Sequence, residues 1–369
     1  MANIQFRTTH LPIRAFPFTI LTVRILIVKL GSIGDIVHTL PSLAAIRRAF
    51  ADAEISWVVE ERSSEILKDN PYIDNLIEVD TRRLRRRRDI DKIIHEASRQ
   101  LKNLRKFGFD IALDFQGLLK SATITKLSGA KRRWGFSRAG LREPASRLLL
   151  TNTIQTSPQI HVIRKNLALA AGALNIEVPE NDFEFPIAAS RENISEAEAI
   201  AEKAGGEFAI LNPGGGWVTK LWHTEKFGQL ADRLWEERGI DSIVTTGPNE
   251  DELAEKVAAN SRSGKLLFAN PSLKAFYELA KRARIYVGGD TGPTHIVVAA
   301  KTPIVGLFGP TEWWRNGSPN PDDICIERTN IDCRVDCHRR TCSKWICMDS
   351  DVDTVLAAVN ERLSKVVSN

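Results

Sequence analysis

Hydrophobic residues follow two alternating patterns along this chain: short continuous apolar runs, and longer segments with an apolar residue every three or four positions. The runs in the first half are RILIVKL, EISWVVE, IDNLIEVD and FDIALDFQG. Short apolar runs of this kind are typical of strands buried on both faces, whereas the longer periodic segments are typical of amphipathic helices. The alternation predicts a parallel sheet covered by helices on both faces.

The same alternation occurs twice. In the first series, one helix is expected to carry Ile36, Leu40, Leu43 and Ile46 on a buried face, and another is predicted from about residue 90 to 107. The second series begins near residue 207 with FAILNPGGG and continues through helix 224–238, DSIVTTG, helix 251–259, RIYVGGD and TPIVGLFG. Two such series predict an α/β protein with two doubly wound, Rossmann-like halves.

Breaks in the pattern give the predicted domain boundaries. The segment EVPENDFEFPIAAS is acidic, contains prolines and has little periodicity, so a linker is expected near it. The predicted division is a poorly ordered extension at 1–22, an N-terminal domain at 23–180, a linker at 181–190, a C-terminal domain at 191–348 and a C-terminal helix at 349–369.

Charge is concentrated rather than spread evenly. The 369 residues carry a net charge of only +5, but TRRLRRRR at residues 81–88 is strongly basic. No recognised nucleic-acid motif accompanies this block and no aromatic residues interleave it, so nucleic acid is not expected as a partner. No apolar run approaches the roughly 20 residues of a membrane-spanning helix.

Polar turns follow several predicted strands, at the edge where open parallel sheets bind ligands. In KLGSIGDIVHTLP, Asp35 stands at a helix start, where it could cap the helix or project into a cleft as a general base. The lysine and serine of that turn could orient an anion or a hydroxyl group. These two interpretations of Asp35 are equally compatible with its spacing.

Two further turns lie in the second series. NPGGGWVTKLW offers the backbone N–H groups of Gly214 and Gly215 and the cation of Lys220 to a phosphate, although an irregular loop with a solvated lysine is the alternative. The spacing matches neither a P-loop nor G-x-G-x-x-G, which argues against dehydrogenase chemistry. In TTGPNEDE, an acid could accept from ribose hydroxyls or cap the next helix.

The turn GGDTGPTH concentrates the most polar chemistry. Asp290, Thr291 and Gly292 are predicted to form a loop ahead of a helix that carries His295. Free N–H groups at a helix N-terminus and a threonine hydroxyl suit a diphosphate. Taken alone, the turn is equally explained by an aspartate cap and a satisfied histidine.

Six motifs in this order resemble the heptosyltransferases of lipopolysaccharide core assembly, in glycosyltransferase family 9. They are GDIVHTLP, DFQGLLKSA, LREPAS, KLW, GGDTGPTH and GLFGPT, and the resemblance covers nearly the whole chain from Val23. It implies a GT-B fold with facing acceptor and donor domains, ADP-heptose as donor and inverting transfer. The type I enzymes, which add the first heptose to the Kdo sugar of lipid A, are the most similar.

The resemblance also implies roles for individual residues. Asp35 would be the catalytic base, and Lys220 would stabilise the leaving diphosphate. Donor-binding residues would be Gly214, Gly215, Lys220, Glu250, Asp290, Thr291, Gly292 and His295. Acceptor-binding residues would be Ser32, Arg82, Arg83, Lys120 and Arg142.

The implied location is cytoplasmic, with peripheral attachment to the inner membrane. The cytoplasmic face of that membrane and the Kdo-lipid A acceptor are both anionic, so residues 85–88 would extend a basic patch toward the headgroups. The alternative is that these later arginines form only a solvated run.

The cysteines depart from the type I pattern. CRVDCHRRTCSKWIC places four thiols at C-x₃-C-x₄-C-x₄-C, and type II-like members also contain cysteine-rich segments, so a type II acceptor remains open. Zinc at Cys333, Cys337, Cys342 and Cys347 is possible, but reduced thiols without metal are favoured because C-x₂-C pairs are missing. Catalysis is expected to need no metal.

Two other functions stay open on the sequence alone. One is a family 9 transferase that uses another sugar nucleotide. The other is a sugar-nucleotide-binding protein without catalysis, which is disfavoured because both Asp35 and Lys220 are present.

Overall fold

The computed structural model describes residues 22–81, 104–247, 250–333, 337 and 339–367. The predicted extension at 1–22 therefore lies almost wholly outside the described residues. The helix predicted at 90–107 lies mostly outside them too.

The first half forms one parallel sheet of six strands. Its strand order is β3-β2-β1-β4-β5-β6. The strands are β1 (Arg24–Val28), β2 (Glu54–Glu60), β3 (Asn75–Val79), β4 (Ile111–Asp114), β5 (Arg132–Phe136) and β6 (Asn152–Ile154). The helices are α1 (Ile33–Val37), α2 (Leu40–Ala49), α3 (Leu119–Leu127) and α4 (Val162–Leu174).

The second half repeats this architecture with strand order β12-β11-β10-β7-β8-β9. The strands are β7 (Phe208–Asn212), β8 (Asp241–Thr245), β9 (Leu266–Ala269), β10 (Ile285–Gly289), β11 (Ile304–Phe308) and β12 (Ile324–Glu327). The helices are α5 (Arg191–Ala204), α6 (Thr224–Arg238), α7 (Asp251–Ala258), α8 (Leu273–Ala280), α9 (Gly292–Ala299), α10 (Trp313–Asn316) and α11 (Val352–Val367).

The prediction of two doubly wound halves is confirmed. In each sheet the strand order reverses between two adjacent central strands, β1 and β4 in the first and β7 and β10 in the second. Ligands of open α/β sheets bind where the order reverses, beyond the carboxyl ends of the strands. The turns after β1, β7 and β10 are therefore placed to form a site.

The prediction of one continuous helix after β1 is wrong. The chain forms α1 and α2, separated at His38 and Thr39, and Pro41 lies in the first turn of α2. A proline ring inside a helix clashes with the carbonyl four residues earlier, so the helix restarts instead of continuing. The four apolar residues assigned to the buried face are all fully buried.

Helices also connect the two halves and close the chain. Helix α1 packs against α9 of the second half, and within the second half α5 packs against α8. Helix α11 contributes Val355, Leu356 and Val359 to a core that it shares with β7 and α6. No helix in the described ranges is long and apolar enough to cross a membrane.

Candidate active site

A cleft of about 580 Å³ lies between the two halves, bounded by the turns after β1, β7, β8 and β10. It brings together eleven of the residues that the sequence predicted, from segments far apart in the chain. They are Ser32, Asp35, Arg142, Gly214, Gly215, Lys220, Glu250, Asp290, Thr291, Gly292 and His295.

Asp35 lies in the first turn of α1, and its side chain is 38% exposed. The helix cap is Ser32, so the sequence interpretation of Asp35 as the cap itself is wrong in position. The Asp35 carboxylate instead accepts the Ser32 backbone N–H at 3.1 Å. Its other oxygen lies 3.3 Å from the ammonium of Lys29. The Asp35 side chain therefore stabilises its own helix turn and is also exposed to the cleft.

Lys29 is the buried cation that pairs with Asp35. Its side chain is only 4% exposed, and its ammonium also donates to the Phe115 carbonyl at 3.1 Å. The Lys29 ammonium holds one carboxylate oxygen of Asp35 in place. The sequence pointed to this lysine only as a general aid to anion binding.

Asp290 occupies the matching turn of the second half and is nearly inaccessible, at 7% side-chain exposure. One oxygen accepts from Lys220 at 2.7 Å, and the other lies 3.3 Å from Nε2 of His295. Burial by itself would raise the pKa of Asp290, but the hydrogen bond and charge of His295, together with the charge of Lys220, hold it far below its usual range. Asp290 is thus a permanent anion that fixes Lys220 and His295 at the cleft.

Glu250 holds two glycine turns together. Its carboxylate accepts the N–H of Gly215 at 3.3 Å and the N–H of Gly247 at 2.7 Å. The Gly215 N–H, which was expected to be open to a phosphate, is therefore occupied in this structure. A Cβ on Gly214 would overlap the same carboxylate, so a larger residue there would displace the Glu250 side chain. Glu250 makes no side-chain cap to α7, which removes the capping alternative.

The N-terminus of α9 opens into the cleft. Thr291 is its cap residue in an extended conformation, and Pro293 lies in the first turn, where the missing N–H costs nothing. The positive end of the helix favours an anion at this point. Gly292 lines the cleft, and a Cβ added there would lie 3.4 Å from the Cβ of Ile33 in α1.

Three histidines meet where α1 and α9 touch. The rings of His38 and His295 are 4.3 Å apart, and His161 lies 6.0 Å from His38. A side chain at Gly34 would overlap the His295 ring, so this glycine allows the close approach of the two halves. Burial and the neighbouring histidines lower the pKa of His38 well below its usual value, and burial lowers the pKa of His161.

The predicted acceptor residues are only partly brought together. Ser32 and Arg142 line the cleft, whereas Lys120 pairs with the buried carboxylate of Glu60 at 3.0 Å and is not among the lining residues. A role for Lys120 at the acceptor therefore stays a prediction. Arg82 and Arg83 lie outside the described residues.

Several lining residues were not predicted as site residues. Arg315 and Asn316 come from α10, immediately after the GLFGPT motif, and His38 lies inside GDIVHTLP. Trp217 lies under the Lys220 ammonium, 4.5 Å from the ring centre to Nζ. Of these residues, His38 lies inside a motif and Trp217 lies in the turn that contains Lys220, whereas Arg315 and Asn316 lie just beyond the last motif.

Known proteins similar to this chain match along most of its length. The lipopolysaccharide heptosyltransferase 1 of Pseudomonas aeruginosa is 29% identical over 320 residues, which cover 87% of each chain. The protein of the same name from Escherichia coli K12 is 29% identical over 292 residues, 78% of this chain and 88% of that one.

Solved structures share the fold at lower identity. E. coli heptosyltransferase WaaC with ADP superposes with a TM-score of 0.71 at 24% identity, covering 94% of this chain and 100% of that one. E. coli ADP-heptose lps heptosyltransferase II gives 0.74 at 17% identity over the same shares. The expected GT-B fold is confirmed. The family model for glycosyltransferase family 9 (heptosyltransferase) matches residues 98–346, more than half of the sequence, and the chain belongs to this family of glycosyltransferases.

Proposed function

We propose that this enzyme transfers heptose from ADP-heptose to a Kdo sugar of lipid A, with inversion at the anomeric carbon. The observation that carries the proposal is the placement of a partly exposed carboxylate, Asp35, in one cleft with the cationic turn formed by Lys220 and the start of α9. Relatives named lipopolysaccharide heptosyltransferase 1 and a solved structure of WaaC with ADP-2-deoxy-2-fluoro heptose support the choice of donor and acceptor.

The proposed reaction is a single displacement. Asp35 takes the proton of the acceptor hydroxyl, whose oxygen forms the new bond to the anomeric carbon. The bond from that carbon to the diphosphate oxygen breaks, and ADP leaves with the electron pair. Lys220 and the N-terminus of α9 stabilise the charge that develops on the diphosphate, and their positions are fixed in advance by Asp290.

The remaining donor contacts are assigned by position. Glu250 orders the turns that contain Gly214, Gly215 and Gly247, so the ribose of the donor would lie along a pre-formed wall. His295 and Thr291 would contact the diphosphate and the transferred sugar. We propose these contacts from their place on the cleft.

The acceptor is proposed to enter beside Ser32 and Arg142, with Arg315 across the cleft. Both guanidinium groups suit the carboxylate of a Kdo sugar because arginine binds carboxylates in a bidentate manner. Arg82, Arg83 and the later arginines lie outside the described residues. We keep their roles at the acceptor and at an anionic membrane surface, and the cytoplasmic location, as proposals.

Turnover of ADP-heptose with two acceptors tests the proposal. One acceptor is Kdo-bearing lipid A, and the other is the same lipid already carrying one heptose. Rapid transfer to the first and slow transfer to the second is expected. The reverse preference would assign a type II reaction, and failure with both acceptors while ADP still binds would point to another sugar or acceptor.

A further inference from the structure

Four of the five cysteines meet at one small cavity on the second half of the molecule. Cys333, Cys337, Cys342 and Cys347 line a space of about 20 Å³, under the turn that follows β11. Gly309 and Pro310 of that turn form part of the wall. The cavity is large enough for a single small particle, since a water molecule needs at least about 10–15 Å³.

The backbone around Cys342 is shaped to stabilise a thiolate. The N–H of Trp345 donates to the Cys342 sulfur at 3.4 Å, and Trp345 itself adopts a left-handed conformation with φ of 40°. A turn that points N–H groups at sulfur favours the deprotonated form that binds metals.

The other thiols would not ionise together without a cation. Four thiolates around so small a space repel one another unless a positive ion lies between them. A divalent metal removes this repulsion and lowers the pKa of every thiol that it binds.

We propose that this cavity binds a structural Zn²⁺ ion through the thiolates of Cys333, Cys337, Cys342 and Cys347. Four sulfur ligands suit tetrahedral Zn²⁺, and each thiol releases its proton to solvent as it binds, with no change of oxidation state. Spacing alone favoured reduced thiols without metal, because the C-x₂-C pairs are missing. The convergence of all four side chains on one cavity is the observation that reverses that preference.

Ligation requires the side chains to move inward. Within the described part of the chain, no group of three or more histidine, cysteine or acidic side chains is arranged to hold a metal ion, so the four thiols do not form a metal site as they stand. Cysteine has a single side-chain rotation that carries the sulfur, so closure around an ion needs rotamer changes and small shifts of a surface segment.

The proposed ion would brace the donor side of the cleft. The hydroxyl of Thr219 donates to the Arg339 carbonyl at 2.6 Å, and the Arg340 guanidinium lies 5.4 Å from the centre of the Trp217 ring. Thr219 is the neighbour of Lys220, and Trp217 lines the cleft. The cysteine-rich segment is thus attached directly to the turn that presents the cationic side chain.

Metal content of the full-length protein, purified without chelators, tests the proposal. We expect one zinc per chain in the original protein and near-complete loss in Cys342→Ser and Cys347→Ser. Cys325→Ser is the matched control, because Cys325 lies in β12 and not on the cavity, and it should retain the full zinc content. This measurement does not depend on the nature of the sugar substrate.

A second measurement covers variants that fail to fold. In the original protein, alkylation followed by mass spectrometry should find the four cavity thiols protected, and a chelator should make all four reactive. Iron in place of zinc, a disulfide between any two of the four, or four thiols that are reactive without chelator would each overturn the zinc assignment.

Discussion

The turns after β1 and β10 are the same kind of element used in opposite ways. Each connects the end of a central strand to a helix that starts at the cleft, and each contains one aspartate beside a lysine. Asp35 keeps 38% of its side chain exposed and lies 3.3 Å from Lys29. Asp290 has 7% exposed, with both oxygens engaged by Lys220 and His295.

The difference separates an aspartate that can react with substrate from one that holds neighbouring side chains in place. A carboxylate can take a proton from a substrate only if the substrate reaches it, and Asp35 meets that condition. Asp290 cannot meet it without first losing two partners, so its part is to position the cation that faces the donor. Similar local sequences, GD in one turn and GGD in the other, therefore do not imply similar roles.

Asp35→Asn should produce the largest effect. Loss of the base should reduce kcat by about 10²–10⁴-fold, the usual contribution of general acid–base catalysis. ADP affinity should be unchanged. Asn can still accept the Ser32 N–H, and Lys29 keeps its hydrogen bond to the Phe115 carbonyl, so the melting temperature should fall less than in a variant of the buried Asp290. Steady-state rates at saturating substrate, with calorimetry for ADP, make the measurement. A near-normal kcat would show that Asp35 is not the base and only makes its contact within the helix turn.

Asp290→Asn should reverse that pattern, with a large loss of stability. Removing one partner of a buried ion pair leaves the other charge uncompensated, which costs about 3–5 kcal/mol. Urea unfolding would measure the change. Asp35→Asn is the comparison, and its loss should be smaller because the Asp35 carboxylate is 38% exposed, although its partner Lys29 is buried. Equal losses in the two variants would contradict the distinction between the turns.

Lys220→Met tests whether the fixed cation serves the diphosphate. A hydrogen bond to a charged group contributes about 1.5–3 kcal/mol, so ADP affinity should fall by about 10- to 100-fold. Adenosine affinity should change little. Lys226→Met is the control, since Lys226 pairs with Asp349 at 2.7 Å and does not line the cleft. Parallel losses for ADP and adenosine would place the diphosphate elsewhere.

Most central strands of each sheet were predictable, and so was the edge strand β3, but β5, β6, β9 and β12 were not. Strands β1, β2, β7, β10 and β11 are nearly fully buried, so their sequences are continuous apolar runs. The edge strands β6, β9 and β12 have only three or four residues each and are only partly buried, so their segments are too short to give a clear strand pattern. The break between α1 and α2 was missed because the apolar period continues across it.

The site was predictable as a set of turns but not as a set of contacts. Glycines and acids after strands identified most of the cleft, because parallel strands end at one edge. The sequence does not show which N–H groups are already hydrogen-bonded. The N–H of Gly215, for example, is occupied by Glu250, which follows a different strand. The burial of Lys29 and the engagement of Lys120 by Glu60 likewise depend on segments that only folding brings together.

The smallest expected effect concerns His38. Its ring contacts the ring of His295 where α1 and α9 meet. Its folded pKa is lowered from 6.5 by burial and then by His295 and His161, with Lys29 adding to this and Asp290 opposing it. The folded state therefore binds fewer protons than the unfolded state below about pH 6.5, and the stability that His38 contributes is lost as the pH falls.

In His38→Phe, the decrease in unfolding free energy from pH 7.5 to 5.5 should be smaller by about 1 kcal/mol, given about 1.4 kcal/mol per proton per pH unit. Asp114 acts in the other direction, since burial raises its pKa to about 6, but it is present in both proteins and cancels in the difference. Urea unfolding at the two pH values makes the measurement, and His223→Phe on the surface of the second half is the control. Identical pH dependence in His38→Phe and the original protein would show that the contact between the two turns carries no titrating group.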